Sequence, residues 1–208
     1  LINKTGQELI PCVYDNIDEF SETLFSVTLT QKIGFINKLG KVVTPPIYNH
    51  VSLLGESEFQ KYNMAQVMIN RETGCIDKNS GEVVIPIMYR NIDLLPDDGL
   101  LNVSSNSTTN YWRWGYLDMK GRTLIPLIYV GNSKFSDGLA RVNLDGNYGY
   151  INKTGQVVIP FGIYDYAFPF SDGLAKVKKN GKFGFINKTG KVVIPFIYNN
   201  NNDNSISE

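Results

Sequence analysis

The stretch Gly184-Phe185-Ile186-Asn187-Lys188-Thr189-Gly190-Lys191-Val192-Val193-Ile194-Pro195 decides the fold, because close variants of it recur along the chain. The glycine that opens this phrase returns in five copies: Gly34, Gly74, Gly115, Gly149 and Gly184. The proline that closes it is followed three or four residues later by a tyrosine, in six copies from Pro11 and Tyr14 onward. Self-similarity at a period of about 34 to 40 residues indicates a tandem-repeat array.

Turn signals predict that each unit is built from strands. Asn180-Gly181 and Asp145-Gly146 each join two segments of alternating polarity, and such pairs tolerate the positive φ angles of a tight hairpin. The next connection, from Asn187 to Gly190, suits a type I turn followed by a left-handed glycine. Proline then ends the third strand, because it cannot donate to the ladder. We predict an all-β protein in which each unit is a three-stranded antiparallel meander.

The aromatic residues predict how the units pack. Phe183 and Phe185 stand two apart on one strand and project to the same face. A single three-stranded unit cannot bury such a face, so neighbouring units must stack. We expect an open, twisted array of about five to six units over residues 1–198, the first of them truncated, with a closed propeller-like ring as the alternative. The Asn-rich residues 199–208 are expected to form a disordered tail or linker.

Charge and hydropathy exclude several classes of function. The 20 basic and 20 acidic side chains cancel, and a nucleic-acid partner is not expected without a basic footprint. Residues 1–100 hold 8 basic and 13 acidic side chains, and residues 101–208 hold 12 and 7. Solvated surface charge explains this polarity better than a charged partner does. No run of about 18 apolar residues occurs, so no membrane-spanning helix is expected. Because Leu1 enters the repeat phrase after its glycine, we expect further sequence upstream.

Catalytic chemistry has little support. His50 is the one histidine, so a histidine-based triad or a multi-histidine metal site has a single candidate member. The acidic neighbours Asp97-Asp98, and Glu56 with Glu58, lie in expected loops without a recognisable partner. The glycines close hairpins at repeat spacing and form no phosphate-binding loop. We expect no catalytic residues, no cofactor and no enzyme activity in this chain.

Metal binding is not expected either. Cys12 and Cys75 occupy core positions in different units and form no metal motif. The Asn or Asp that opens each turn supplies one carbonyl or carboxylate, whereas calcium requires six to eight oxygens. Capping of the local backbone is the better account of these residues.

At residues 114–118 the sequence comes to resemble a known family. Trp114-Gly115-Tyr116-Leu117-Asp118, with Gly121, Pro126 and Tyr129 after it, is similar to a unit of the WG repeat, also called KWG repeat. The resemblance covers about residues 1–198, although tryptophan precedes the glycine in one unit only. It implies a bacterial all-β repeat, often found in envelope or secreted proteins, with no established catalytic residues to carry over.

Departures from the repeat are the first candidates for binding. Two insertions occur, at Ser52 to Asn63 and at Ser104 to Tyr111, and the second runs into Tyr111-Trp112-Arg113. Exposed Tyr, Trp and Arg dominate interface energetics, so Tyr111, Trp112 and Arg113 are the leading candidate binding patch.

The basic last unit is a further candidate. Lys176, Lys178 and Lys179 lie on one predicted strand, where Lys176 and Lys178 share a face. Edge lysines that prevent aggregation explain them better than an anionic polymer or a membrane does.

These features predict a non-catalytic repeat scaffold that binds a protein or a glycan, because stacked repeats supply extended surfaces. The alternative is a spacer or targeting region of a larger protein that carries an enzymatic or toxin domain elsewhere.

Overall fold

The computed structural model describes residues 12–52, 62–95, 98–105 and 112–199. Within these ranges all regular structure is β, and twenty strands form five four-stranded antiparallel sheets. The strands of every sheet lie side by side in chain order, and none of the sheets closes into a barrel. The predicted all-β tandem repeat is therefore confirmed.

The first two sheets follow one another along the chain. Sheet 1 comprises β1 (Asn16–Glu19), β2 (Leu24–Leu29), β3 (Lys32–Asn37) and β4 (Val42–Tyr48). Sheet 2 comprises β5 (His50–Ser52), β6 (Met64–Ile69), β7 (Glu72–Asp77) and β8 (Val83–Tyr89).

Three more sheets repeat the pattern. Sheet 3 comprises β9 (Asn91–Leu95), β10 (Leu100–Ser105), β11 (Arg113–Asp118) and β12 (Thr123–Tyr129). Sheet 4 comprises β13 (Gly131–Asn132), β14 (Leu139–Leu144), β15 (Asn147–Asn152) and β16 (Val157–Ile159). Sheet 5 comprises β17 (Tyr166–Ser171), β18 (Leu174–Lys179), β19 (Lys182–Asn187) and β20 (Val192–Tyr198).

The predicted number of strands per unit is wrong by one. The stretch assigned to the connection after the third strand forms a first strand of the next sheet, as Tyr166–Ser171 does when it pairs with β18. Its alternation is hidden in the sequence because the register shifts between Ala167 and Phe170, around Pro169. Such a bulge moves side chains off the period-two pattern.

The tight hairpins form where the sequence predicts them. Asn180-Gly181 has φ angles of 50° and 78°, and Asp145-Gly146 has 49° and 91°. Thr30-Gln31 and Asn70-Arg71 adopt the same left-handed pair without a glycine. The turns from the third to the fourth strand are capped as predicted. Their opening Asn or Asp accepts hydrogen bonds from backbone N–H groups two to four residues later.

Each sheet has two faces with different side chains. On the third strand of each sheet, the residue after the repeat glycine points to one face, which we call the forward face. These residues are Phe35, Cys75, Tyr116, Tyr150 and Phe185. We call the opposite face the backward face; it carries the second-strand valines Val27, Val67, Val103, Val142 and Val177.

One core cluster lies between sheets 1 and 2, and another lies between sheets 4 and 5. The forward side chains Leu24, Phe35 and Tyr48 of sheet 1 pack with Ala65, Val67 and Ile76 on the backward face of sheet 2. Sheets 4 and 5 repeat this contact, because Tyr150 and Ile159 pack with Ala175, Val177 and Ile186.

The chain divides into two compact units. The first comprises residues 1–103 with 118–122, and the second comprises residues 104–117 with 123–208. Sheets 1 and 2 belong to the first unit, sheets 4 and 5 belong to the second, and sheet 3 contributes strands to both. Of the expected tail, Asn199 is described and exposed, and the remainder lies outside the described residues.

Candidate binding surface

The predicted patch at the second insertion is only partly described. Tyr111 lies outside the described residues, whereas Trp112 is 46% exposed just before β11. Arg113 is held within the fold, because its guanidinium donates to the Ile128 carbonyl at 2.8 Å and pairs with Asp145 at 3.0 Å. Trp112 is therefore accessible, whereas Arg113 has a structural role.

The three predicted lysines do not share one surface. Lys176 and Lys178 lie on the forward face of sheet 5, as predicted, opposite Phe185 and Phe183 on β19. Lys179 alternates to the other face at the hairpin end, where it is exposed opposite Lys182.

A row of aromatic residues surrounds the two forward lysines. Tyr166, Lys178, Phe183 and Tyr198 lie directly opposite one another on the four successive strands of sheet 5. The Lys176 Nζ lies 4.6 Å from the centre of the Phe183 ring, and the Lys178 Nζ lies 5.5 Å from it. A cation over a ring face at such distances is attracted by the ring quadrupole.

The rings continue from sheet 5 to sheet 4. Tyr166 and Phe168 have ring centres 5.0 Å apart, and Phe168 and Phe183 are 6.5 Å apart. Tyr166 also contacts Tyr148 of sheet 4 at 4.7 Å. We name as the aromatic-lysine face the set Tyr166, Phe168, Lys176, Lys178, Phe183 and Tyr198.

Exposure distinguishes this face from its counterparts. Tyr198 is 46% exposed, whereas four other tyrosines that follow a repeat proline are 1%, 6%, 4% and 7% exposed: Tyr48, Tyr89, Tyr129 and Tyr164. The neighbouring sheet that buries Tyr48 has no equivalent over Tyr198 among the described residues. The sequence prediction missed Tyr166 and Tyr198 because aromatic residues at repeat positions were assigned to packing.

Within the described ranges, no group of three His, Cys, Asp or Glu residues could hold a metal. Burial raises the pKa of the Cys75 thiol to about 12, so the nucleophilic thiolate is scarce at neutral pH. Cys75 is buried as predicted, whereas Cys12 is exposed, so its predicted core position is wrong.

Two turn aspartates have lowered pKa values. Burial opposes ionisation of Asp118, but backbone N–H donors and the Arg122 guanidinium, 2.6 Å away, lower the pKa of its carboxyl below the usual value. Asp77 behaves likewise, because N–H groups of Ser80 and Asn79 outweigh the effect of burial on its pKa. Both carboxylates cap turns, which accounts for the shifts without catalysis. In the described part of the chain, no helix could cross a membrane.

Comparison with known sequences finds one family. A family model described as WG containing repeat matches residues 1–29, 33–71, 114–148, 148–183 and 183–200. No curated protein matches the chain.

Solved structures resemble the chain at low identity. A eukaryotic initiation factor matches with a TM-score of 0.41 and 10% identity, over 86% of this chain and 53% of the other. Kluyveromyces lactis Hsv2p matches with a TM-score of 0.38 and 10% identity, over 86% and 63%. The extracellular domain of a one component system from B. thetaiotaomicron matches with a TM-score of 0.32 and 12% identity, over 93% and 31%. The chain thus spans less than two thirds of each of these structures.

Proposed function

The chain belongs to the family of WG-containing repeats, and from this premise we propose that it is a non-catalytic repeat scaffold that binds a partner protein through the aromatic-lysine face. A glycan is the alternative ligand. From the family resemblance we also propose that the protein is located in the bacterial envelope or outside the cell. Cell fractionation with an antibody to the chain would test this location.

One observation carries this proposal. The tyrosine after the repeat proline is at most 7% exposed at Tyr48, Tyr89, Tyr129 and Tyr164, partly exposed at Tyr14 and 46% exposed at Tyr198. The side chain that is buried in four copies thus remains accessible in the last one, beside Tyr166, which is 37% exposed.

The chemistry of the face suits recognition of a protein. Tyrosine rings bury a large apolar area while their hydroxyls retain a hydrogen-bonding group, which is why tyrosine is enriched at interfaces. Lys176 and Lys178 add two cations that lie over the Phe183 ring. We therefore expect the partner to present apolar side chains flanked by carboxylates.

The test is a binding screen of the purified chain against surface-protein and glycan panels, with Tyr198→Ser beside the wild type. Trp112→Ala is the matched control, because Trp112 is equally exposed but lies outside sheet 5, just before β11. Thermal melts of both variants would show that the fold is retained. A protein hit that is lost in Tyr198→Ser and kept in Trp112→Ala supports the proposal.

The other outcomes contradict it in different ways. Loss of the hit in Trp112→Ala alone would move recognition to the insertion beside β11. Hits confined to the glycan panel would replace the protein partner with a sugar. No hit in either panel would favour a spacer within a larger protein.

A further inference from the structure

The fourth strand of every sheet is an edge strand with exposed apolar side chains. It lies at one end of the strand order in all five sheets. We call fourth-strand edges the segments that run from the turn asparagine or aspartate to the residue before the repeat tyrosine: 37–47, 77–88, 118–128, 152–163 and 187–197. Fifteen Val, Leu, Ile and Met side chains are exposed among the described residues, and fourteen of them belong to these segments.

This exposure does not depend on where the sequence ends, because sheet 2 has neighbours on both sides of its edge. A Cβ on Gly81 of its turn would lie 2.8 Å from Val43 of sheet 1, and one on Gly121 of the next turn would lie 3.0 Å from the Val84 carbonyl oxygen. The exposed fractions in sheet 2 are nevertheless 51% and 54%, against 43% and 61% at the equivalent positions of sheet 5: Val83, Met88, Val192 and Ile197.

Positive charge is concentrated on the same segments. The fourth-strand edges hold 8 basic and 3 acidic side chains, whereas the rest of the chain holds 12 and 17. An excess of five positive charges on the edges thus coincides with an excess of five negative charges elsewhere. The edges of sheets 1, 4 and 5 contain no acidic residue. Cations and exposed aliphatic side chains therefore occur together at the same repeat positions.

The turn of sheet 1 shows this combination most clearly. Leu39 is 81% exposed, the highest value among the large apolar side chains of the described residues. Its backbone N–H donates to the Asn37 side chain at 3.0 Å, and the exposed Lys38 and Lys41 flank it. At the equivalent position in sheet 5, the Thr189 hydroxyl donates to its turn asparagine at 2.8 Å. Leu39 thus replaces a capping hydroxyl with an exposed apolar side chain between two cations.

We propose that the fourth-strand edges bind an anionic lipid surface. Their aliphatic side chains enter the boundary between head groups and acyl chains, while the adjoining lysines contact lipid phosphates. The edges share no residue with the aromatic-lysine face, so this inference adds a second surface to the proposed function and does not depend on it.

The chemistry of the edges favours lipid over other occupants. A proline lies in or directly after every fourth strand, and its missing N–H opposes the addition of a further strand from a peptide or a second copy. The residue types that dominate protein interfaces, Trp, Tyr and Arg, are represented on the edges by Arg122, which pairs with Asp118 at 2.6 Å. A soluble polyanion would contact the lysines but would gain nothing from the aliphatic side chains.

The experiment is flotation of the purified chain with vesicles of phosphatidylglycerol and phosphatidylcholine in equal parts, beside vesicles of phosphatidylcholine alone. We expect partition into the anionic vesicles that weakens as salt is added. Leu39→Ser should lower the partition coefficient about tenfold, because an apolar side chain that enters the lipid boundary is lost. Lys191→Gln should lower it about fivefold, the effect of one basic residue at an anionic surface.

Two control variants make the result specific. Lys179→Gln removes the same charge from sheet 5, but Lys179 lies at the hairpin opposite Lys182, at the other end of the sheet from the turn that Lys191 closes. Trp112→Ala removes an exposed apolar side chain that lies outside the fourth-strand edges. Both should leave the partition nearly unchanged, and thermal melts would show that all four variants are folded.

Three outcomes would overturn the inference. The first is no binding to the anionic vesicles. The second is binding that Leu39→Ser leaves unchanged and that soluble polyphosphate abolishes, which would assign the edges to a polyanion. The third is self-association of the chain that Leu39→Ser abolishes, which would assign them to a second copy. The screen with Tyr198→Ser concerns another surface, so either proposal can fail without the other.

Discussion

At the scale of single residues, the glycine that opens the repeat phrase is fixed by the approach of the fourth strand. A Cβ on Gly115 would lie 2.6 Å from the Ile125 carbonyl oxygen and 2.8 Å from the Pro126 carbonyl carbon. Both are backbone atoms that cannot rotate away. The register of β12 shifts beside this contact, so the glycine and the proline of the phrase belong to one structural feature.

We predict that Gly115→Ala lowers the free energy of unfolding by about 1–3 kcal/mol, because the added methyl group overpacks this contact. Gly131→Ala is the control, since a Cβ there has no atom within 4 Å and its φ is not in the left-handed region. Urea unfolding of both variants measures the difference. Equal effects of the two substitutions would show that the close approach is not the constraint.

The Asp118 cap gives a pH-dependent prediction. Because the pKa of its carboxyl is lowered in the fold, the stabilisation is complete above the usual aspartate pKa of about 4, declines below it and is lost as the pH falls through the lowered pKa of the folded state. Asp118→Asn keeps a side-chain oxygen to cap the turn, as Asn152 does, but loses the charge. We expect the wild type to be more stable at pH 7 and its advantage to disappear in acid.

Thermal melts of the wild type and Asp118→Asn between pH 7 and pH 2 would check this. Asn152→Asp, at the equivalent turn, should introduce the opposite change and make the melt of that variant more sensitive to acid. A difference between wild type and Asp118→Asn that stays constant over this range would contradict the assignment.

At the scale of elements, two hairpins have a strained backbone because their second turn residue is not glycine. They are Thr30-Gln31 and Asn70-Arg71. Gln31 has a φ of 63° at the position where Gly146 and Gly181 have 91° and 78°. An L-residue in this region is strained by about 1–2 kcal/mol, whereas glycine adopts it freely.

We predict that Gln31→Gly raises the free energy of unfolding, by about 0.5–1 kcal/mol after the larger unfolded-state entropy of glycine is subtracted. Lys32→Gly, one residue later inside β3, should destabilise by about 0.5–1 kcal/mol instead. Urea midpoints of the two variants would test this contrast. Destabilisation by Gln31→Gly would mean that its side chain contributes more than its backbone strain costs.

A turn or strand could be predicted from the sequence where a few adjacent residues determine its conformation. The hairpins at Asn180-Gly181 and Asp145-Gly146 could be predicted because two adjacent residues determine the turn. The first strand of sheet 5 could not, because the bulge between Ala167 and Phe170 interrupts its alternation. This segment is a strand because it pairs with β18, which the sequence does predict, and not because its own residues favour a strand.

At the scale of the whole molecule, the candidate site depends on which sheet a residue belongs to. Tyr198 ends Pro195-Phe196-Ile197-Tyr198, and Tyr48 ends Pro45-Pro46-Ile47-Tyr48, yet the first is 46% exposed and the second 1%. Nearly identical local sequences therefore have opposite environments. The lysines of the last unit could be predicted from composition, but the accessible aromatic side chains beside them could not.

The same contrast yields a prediction on stability. Tyr129→Ala should cost about 3–5 kcal/mol, the range for large buried aromatic side chains, because Tyr129 is 4% exposed and packs near Phe161 with ring centres 6.3 Å apart. Tyr198→Ala removes the same atoms from the equivalent position without a covering sheet, and should cost about 1 kcal/mol or less. Urea unfolding of the two variants followed by circular dichroism measures both costs. A large cost for Tyr198→Ala would mean that this tyrosine stabilises the isolated chain, and the argument that its exposure serves a partner would then fail.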